Sequence, residues 1–499
     1  MSDKPIIWTI SGSDCSAGAG IAADLRTGHS FGVEVCTIST ANTTQNSKQF
    51  YAVNATDIAI LEEQAQALLE DKFPRVIKIG LIANDKQAKW LYNLLKDLKA
   101  RHDILVVYDP VGQASVGGVM STANQAFSTG FYPYIDIITP NLSEAQNITG
   151  ETDTTKQAKA FKQLGISTVI IKGGHSDDDS CTDICYHATD NIGDNGEHVY
   201  CLSSDKINTR YSHGGGCSFA SAVAACLAQG YLVRDAITLA KAFINQGLHA
   251  NLGKMEHYGA FEQTQFPTNP AMFPRVVDNI QQRFSQLPAF KPLNLSPNQS
   301  LGIYPVIGSI EWLEKLLPLN FNIIQLRLKD KSQATIEAEI KRAVELAKDY
   351  PNTRLFINDY WQLAITHGAY GVHIGQEDLL DTDLAAINRA GLRLGISTHG
   401  CYEFLLAQQL QPSYLAVGAI FPTKTKDMTG QIQGVQTLTH LLSLKADIPV
   451  VAIGGISIER APSVWQTGVD SIAVVTAITE ASDYVEASKV LQGITGVGE

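Results

Sequence analysis

Residues 323–330 read Ile-Ile-Gln-Leu-Arg-Leu-Lys-Asp. Ile323, Ile324, Leu326 and Leu328 make a strand, and Arg327 and Lys329 alternate along it, so their side chains share a face. Turned into a packed interior without partners, such charges would cost roughly several kcal/mol. They belong at the open end of the strand, facing an anion. Seven more apolar runs flank this one: Leu301–Ile307, Leu355–Ile357, Gly371–Ile374, Leu392–Ile396, Tyr414–Ile420, Val450–Ile453 and Ile472–Val475. Each is followed by a segment of helix length. Eight strand–helix units predict a closed (β/α)8 barrel, whose chemistry sits at the C-terminal ends of the strands. There the chain places Asn358-Asp359, Gly375-Gln376-Glu377-Asp378, Ser397-Thr398-His399, Pro422-Thr423-Lys424-Thr425-Lys426 and Gly454-Gly455-Ile456.

At 499 residues the chain exceeds one ordinary domain. Charged residues make up 18% and mean hydropathy is near zero, which marks a soluble globular protein. A net charge of −12 argues against nucleic acid and acidic membranes as partners, since both need a basic face. The eight cysteines show no paired CxxC spacing and read as reduced cytoplasmic thiols. The start is polar and runs straight into a strand, so neither a signal peptide nor a membrane span is expected. Homo-oligomerisation is left open.

Phe266–Ser300 holds six of the eighteen prolines. It reads as a semi-stiff connector carrying a short amphipathic helix over Val276–Leu287, or as a segment packed along one domain; the residues leave both open. The expected division is therefore 1–265, a connector over 266–300, and a barrel over 301–499. The first part has its own α/β pattern. Strand-like runs fall at Ile6–Ile10, Val35–Ile38, Val76–Ile79, Ile104–Tyr108, Ile135–Ile138 and Thr168–Ile171, with helical segments such as Ile58–Leu69 and Gln87–Leu98 between them. A parallel or mixed sheet with helices on both faces follows.

His213-Gly214-Gly215-Gly216-Cys217 precedes a small, apolar, helix-forming run over Ser218–Ala228, which Gly230 can end. Glycines before a helix let backbone N–H groups approach an anion, aided by the helix dipole. Cys217 sits where a thiolate is favoured. The plainer alternative is a tight loop with a buried cysteine. Asp109, Asn141 and Glu144, at strand ends, supply the two carboxylates and an amide suited to Mg2+ on a nucleotide triphosphate. Lys172, before Gly173-Gly174, adds a cation beside open backbone. A metal, a cation, a cradle and a base are what phosphoryl transfer requires. Gly18-Ala19-Gly20-Ile21-Ala22-Ala23 formally matches a dinucleotide fingerprint. It lies too far beyond Ile10 to form the first turn of such a site, and that reading is rejected.

Together SGSDCSAGAG at 11–20, TTQN at 43–46, KIGL at 78–81, DPV at 109–111, TPNLSE at 139–144, KGGH at 172–175 and GGGC at 214–217 resemble hydroxymethylpyrimidine (phosphate) kinase, of the ribokinase-like superfamily. The resemblance spans nearly all of residues 5–262 and implies an α/β/α sandwich. It assigns a pyrimidine pocket to Gly12, Asp24, Gln45, Leu81 and Val111, with Asp24 and Gln45 hydrogen-bonding the ring edge. It assigns an anion hole to Gly214, Gly215, Gly216 and Cys217, the proton-accepting base to Cys217, phosphate contact to Lys172, and Mg2+ to Asp109 and Glu144. Three positions depart from the pattern: Gly215 stands for the usual Thr, Gly112 for a Met, and Cys15 for a Pro. Activity is still expected, because the backbone donors survive.

In the barrel, Asp359 and Asp378 suit one Mg2+ that bridges substrate phosphates. Ser397 and Lys426 add phosphate donors. Gly454-Gly455 and Val474-Val475-Thr476 match the usual phosphate position after the last two strands. Ordinary salt-bridged loop ends would explain any one cluster, not all six. QLRLKD, FINDYW, GVHIGQEDL, GISTH, PTKTK and AIGGI closely resemble thiamine phosphate synthase, from about Leu301 to Val497. That resemblance implies pyrophosphate contacts from Arg327, Lys329, Asn358, Ser397 and Lys426, Mg2+ on Asp359 and Asp378, contacts to the organic groups from Gln325, Thr423 and Thr425, and a thiazole phosphate at Gly455, Val475 and Thr476.

The two halves fit in series: a kinase consuming ATP makes a pyrimidine pyrophosphate, and the barrel condenses it with a thiazole phosphate. A pyridoxal-type kinase fused to a thiazole isomerase is the rival enzyme, and a ligand-binding regulator the rival of another class.

Overall fold

The computed structural model describes residues 4–112, 117–122, 129–174, 179–188, 197–256, 258–295, 300–423 and 432–496. The chain divides into two compact units, Met1–Asp278 and Asn279–Glu499.

The first unit is built on a mixed sheet of β1 (Ile6–Asp14), β2 (Glu34–Gln45), β3 (Phe50–Ala55), β4 (Val76–Ile79), β5 (Leu105–Tyr108), β6 (Ile137–Ile138), β7 (Thr168–Ile171), β8 (Ser180–Ala188), β9 (Glu197–Asp205) and β10 (Arg275–Val277). Their order is β10-β9-β8-β7-β6-β5-β4-β1-β2-β3. β2, β1, β4, β5, β6 and β7 are mutually parallel, and β3, β8, β9 and β10 add antiparallel edges. Alternation along β4 shows why helices cover both faces. Ile77 and Ile79 join Trp8, Leu91, Leu95 and Phe161 in one apolar core, against helices Ile58–Asp71, Asp85–Lys99 and Thr154–Gln163. Lys78 points the other way, to Asp24 on helix Gly20–Ser30, whose carboxylate also meets Ser221 on helix Gly215–Ala228.

The parallel strands fall where their apolar runs predict. The antiparallel ones carry mixed residues, as in Ser-Cys-Thr-Asp-Ile-Cys-Tyr-His-Ala of β8, and give no such signal. β1 runs on to Asp14, four residues past its apolar stretch.

The second unit closes eight parallel strands into a barrel: β11 (Gly302–Ile307), β12 (Ile323–Leu326), β13 (Arg354–Asn358), β14 (Gly371–Ile374), β15 (Arg393–Thr398), β16 (Tyr414–Val417), β17 (Val450–Ile453) and β18 (Ser471–Val474). Its interior holds Tyr304, Val306, Ile323, Phe356, Tyr414, Val451 and Ala473. A Cβ on Gly395 would lie 2.1 Å from Tyr414 Cζ, so only glycine lets that ring fill the barrel.

The proline-rich stretch is shared between the units. Val276 in β10 pairs with Leu202, and the helix expected over Val276–Leu287 is a strand followed by a short helix, Asn279–Arg283. Residues 288–295 cross the N-terminal end of the barrel. Ser413 Oγ donates to Lys291 O at 2.6 Å, Phe290 N donates to Gln411 O at 3.0 Å, and Leu293 enters the barrel core. Among the described residues no helix is long and apolar enough to cross a membrane.

Candidate active sites

In the first unit β5, β6 and β7 end side by side, and Asp109, Thr139 and Lys172 follow them. Asp109, 2% exposed, accepts from Lys172 Nζ at 2.9 Å and from Thr139 Oγ1 at 3.1 Å. The helix Gly215–Ala228 starts against this pair: a Cβ on Gly216 would lie 3.4 Å from Lys172 Nζ and 3.6 Å from Asp109 Oδ2. Gly214, at φ +82°, makes the turn into the helix, and a Cβ there would meet Gly18 O at 1.9 Å. No other residue fits. Gly215 is different, since a Cβ there meets nothing within 4 Å. The helix is long and buried from Ser218 to Ala228 because its residues are small, which lets its positive end come close to the strand ends.

Glu144 closes a capping box with Asn141. Asn141 N donates to Glu144 Oε2 at 2.8 Å, and Asn141 Oδ1 accepts from Glu144 N at 2.9 Å. Burial, reinforced by the charge of Asp109 and opposed by that of Lys172, pushes the Glu144 carboxyl up to about 7. Two carboxyls that repel each other beside a buried lysine suit a divalent cation. Burial works against the Lys172 ammonium, yet Asp109 and Glu144 hold its pKa above the ordinary lysine value.

Cys217 corrects one expectation. Burial, with Asp24 and Asp109 adding to it, pushes the thiol up to about 11 despite Lys78 and the Gly20 N–H. Two nearby carboxylates and a dry setting outweigh the helix dipole, so Cys217 rests as a thiol. Asp24 corrects another. It is wholly buried, with Lys78 Nζ at 2.9 Å from each oxygen, Thr9 Oγ1 donating to Oδ2 at 2.5 Å and Ser221 Oγ to Oδ1 at 2.7 Å. Each oxygen already accepts from two donors, leaving none for a pyrimidine edge.

The other pocket residues do converge. Leu81 and Val111 share an apolar cluster with Ala41, Phe50, Val53, Ala83 and Met120, and a Cβ on Gly12 would touch Leu81 Cδ2 at 2.9 Å. Gln45, 6% exposed, directs Nε2 to Thr43 Oγ1 at 3.3 Å. Cys15 brackets its backbone, Sγ donating to Gln45 O at 3.3 Å. Asp14 and His213 were not singled out by the motif. Asp14 accepts from Ser16, Gly18 and Ala19 N–H groups and from His213 Nε2 at 2.9 Å, fastening the first loop to the glycine turn. Burial opposes its charge, but His213 and Ser16 hold the carboxyl well below the usual range.

At the barrel mouth, β12 ends at Leu326, so Arg327 and Lys329 lie just past it, half-buried and exposed respectively. Asn358 ends β13 and Asp359 follows at φ +63°. Burial and the charge of Asp378 raise the Asp359 carboxyl, while Arg327 and Lys329 oppose the rise. Asp359, Asp378, Arg327 and Lys329 therefore share one electrostatic neighbourhood, and the carboxylate pair again suits a cation. Among the described residues no group of three or more His, Cys, Asp or Glu side chains is arranged to hold a metal. Mg2+ bound mainly through substrate phosphates needs fewer. Ser397, on β15, meets His373 Nε2 at 2.8 Å, and Gln325, 3% exposed, donates to Tyr304 Oη at 3.2 Å. Gly455, at φ +65°, turns the chain after β17, and Val475-Thr476 turn it after β18. Thr423 lies in the loop after β16; Thr425 and Lys426 lie outside the described residues.

Two family models match: phosphomethylpyrimidine kinase over residues 14–262 and thiamine monophosphate synthase over residues 303–478. The thiamine-phosphate synthase of Salmonella typhimurium is 56% identical over 199 residues, 40% of this chain and 94% of its own. That of Yersinia pseudotuberculosis serotype O:1b is 56% identical over 193 residues, 39% of this chain and 89% of its own. The chain belongs to both families, one in each unit. Among solved structures, the phosphomethylpyrimidine kinase of Clostridium difficile 630 is 31% identical over 49% of this chain and 99% of its own, at a TM-score of 0.40.

The first unit is thus a phosphomethylpyrimidine kinase on a mixed sheet with helices on both faces, and the second a thiamine-phosphate synthase on a closed eight-stranded barrel. The fusion serves thiamine biosynthesis, and the pairing of a pyridoxal-type kinase with an isomerase is not favoured. The kinase strand ends hold Asp109, Lys172 and the Gly214–Cys217 turn together. The synthase mouth holds Arg327, Lys329, Asp359 and Asp378.

Proposed function

We propose that the kinase unit transfers the terminal phosphoryl group of ATP to 4-amino-5-hydroxymethyl-2-methylpyrimidine or its phosphate. The synthase unit then joins the pyrimidine pyrophosphate to 4-methyl-5-(2-phosphoethyl)thiazole, releasing pyrophosphate. The observation that carries the kinase half is the meeting of Gly216, Lys172 and Asp109 at one helix N-terminus. Backbone N–H groups of Gly214–Cys217 cradle the transferring phosphoryl group, and Lys172 neutralises charge that builds on its oxygens. Cys217 takes the proton of the acceptor. Because burial holds the thiol near 11, the rate follows its small thiolate fraction. Gln45, Leu81, Val111 and Gly12 form the wall for the ring.

In the barrel no strong nucleophile is required. The aminopyrimidine pushes electrons into the breaking C–O bond, and the thiazole nitrogen captures the resulting cation. Arg327, Lys329, Asn358, Ser397 and Lys426 hold the departing pyrophosphate; Gln325, Thr423 and Thr425 touch the organic groups. Gly455, Val475 and Thr476 hold the thiazole phosphate. Asp109 and Glu144 in one unit, and Asp359 and Asp378 in the other, would hold Mg2+, which would supply charge neutralisation of the phosphates.

The test is a one-pot reaction of hydroxymethylpyrimidine phosphate, ATP, Mg2+ and thiazole phosphate, with thiamine phosphate detected by mass. Product is expected. If none forms, and adding pre-made pyrimidine pyrophosphate does not rescue it, the reading of the barrel fails; rescue places the failure in the kinase.

A further inference from the structure

The barrel interior contains three polar side chains that the proposed chemistry does not use, Tyr304, Tyr414 and His373, and they link two that it does, Gln325 and Ser397. Gln325 Nε2 donates to Tyr304 Oη at 3.2 Å; Tyr304 Oη and Tyr414 Oη are 2.8 Å apart; Tyr414 Oη is 2.7 Å from His373 Nδ1; His373 Nε2 is 2.8 Å from Ser397 Oγ. Gln325, Tyr304, Tyr414 and His373 are all buried, at 3%, 1%, 0% and 6% exposure. Ser397 is half-buried and ends the chain on β15. Buried polar groups that could have been apolar carry a cost, so four in single file behind Ser397 call for a reason.

We infer that the chain Gln325–Tyr304–Tyr414–His373–Ser397 fixes the hydroxyl proton of Ser397 toward the barrel mouth and so makes this serine a pre-set donor to the leaving pyrophosphate. The inference rests on the synthase reading above and on the assignment of Ser397 to pyrophosphate.

The direction follows from counting protons. Burial keeps Tyr304 and Tyr414 as neutral phenols, each with one proton. His373 meets an oxygen at each ring nitrogen, and a ring that accepts from Tyr414 at Nδ1 carries a single N–H. With the amide N–H of Gln325 pointing at Tyr304, that oxygen is an acceptor on one side. Its own proton goes to Tyr414, whose proton goes to His373 Nδ1. The imidazole N–H then sits on Nε2 and points at Ser397 Oγ, leaving the serine proton to face outward. Turning the amide of Gln325 over would reverse every link and aim the serine proton back at the histidine. Gln325 faces the organic substrate and Ser397 the pyrophosphate. Ring recognition therefore selects the polarity in which the leaving group finds its donor. His373, Tyr414 and Tyr304 are positioning residues. The T-shaped contact of Tyr304 with Tyr414 at 5.8 Å and the stacking of His373 on Tyr414 at 5.6 Å hold the rings in line.

The test uses the full chain with pre-made pyrimidine pyrophosphate and thiazole phosphate. Tyr414→Phe keeps the ring and removes the central link; Ser397→Ala removes the end. Each single change is expected to lower synthase kcat by roughly ten-fold or more, with a smaller effect on KM, as for loss of a transition-state donor. Combined, they are expected to be no worse than Ser397→Ala alone. A packing defect would instead multiply the two losses, and that result overturns the chain while leaving Ser397 in its role. An unchanged rate for Ser397→Ala overturns the assignment of Ser397 itself. A melting scan checks the barrel, and if Tyr414→Phe does not fold, Tyr304→Phe breaks the adjoining link and is read the same way.

Discussion

Lys78 Nζ lies 2.9 Å from both carboxylate oxygens of Asp24, and neither side chain has exposed surface. The pair ties β4 to the first helix beneath the glycine turn. Removing one partner strands a buried charge, at about 3–5 kcal/mol. Asp24→Asn should therefore lower the unfolding midpoint of the kinase unit sharply. The double change Asp24→Asn with Lys78→Met should cost less than the single one. Chemical denaturation followed by kinase activity checks this; a raised KM at unchanged stability would return Asp24 to the pocket wall.

Gly214 and Gly215 should respond oppositely to a side chain. Gly214→Ala forces a Cβ into Gly18 O at positive φ and should abolish kinase turnover. Gly215→Thr enters open space and adds a hydroxyl donor beside the phosphates, so kinase kcat should rise by a few-fold. Steady-state assays on both variants decide it, with synthase turnover as the internal control.

Burial holds the Cys217 thiol near 11. If its thiolate is the base, kinase turnover should climb about ten-fold per pH unit from neutrality to about pH 9, and Cys217→Ala should remove most of the activity and the slope. A flat profile in the native chain would leave catalysis to the backbone cradle and Lys172.

The Asp359 carboxyl is raised by burial and by Asp378. Asp359→Asn should raise the Mg2+ concentration needed for half-maximal synthase activity by about ten-fold or more, without changing the Mg2+ demand of the kinase. A metal titration of both activities in one preparation checks it.

His373 is neutral when folded down to about pH 4, whereas an unfolded histidine takes up its proton near 6.5. Protons then bind the unfolded barrel first. Stability should fall as pH drops from about 6.5 to 4, by on the order of 2–3 kcal/mol from this group. Denaturant melts of the barrel unit, native against His373→Gln, should show the slope only in the former.

The barrel was legible because each strand is a short apolar run with a polar end: Ile323–Leu326 before Arg327, Leu355–Asn358 before Asp359. The glycine turn was legible because no other residue type serves at Gly214, where φ is positive and a Cβ would strike Gly18 O. Asp24 misled because nothing local marks its carboxylate as paired inside the fold, while its partner Lys78 is the third residue of an apolar run, Val76-Ile77-Lys78-Ile79, where a charge is itself the clue. The Cys217 thiol misled because the helix dipole is visible in the sequence, whereas burial and the nearness of Asp109 depend on tertiary packing. The interior chain through Tyr304, His373 and Tyr414 was invisible, since its members lie on three different strands and each alone reads as barrel filling.

Residues 288–295 floor the barrel, with Leu293 in its core and Phe290 bonded to Gln411. Anyone separating the two enzymes by genetic surgery has therefore to choose the scissor point with care. A gene divided after codon 278 would give two products that each keep a whole core. Divided at codon 300, it would leave the plug on the kinase product and send out a synthase with its underside open to water, prone to clump on expression.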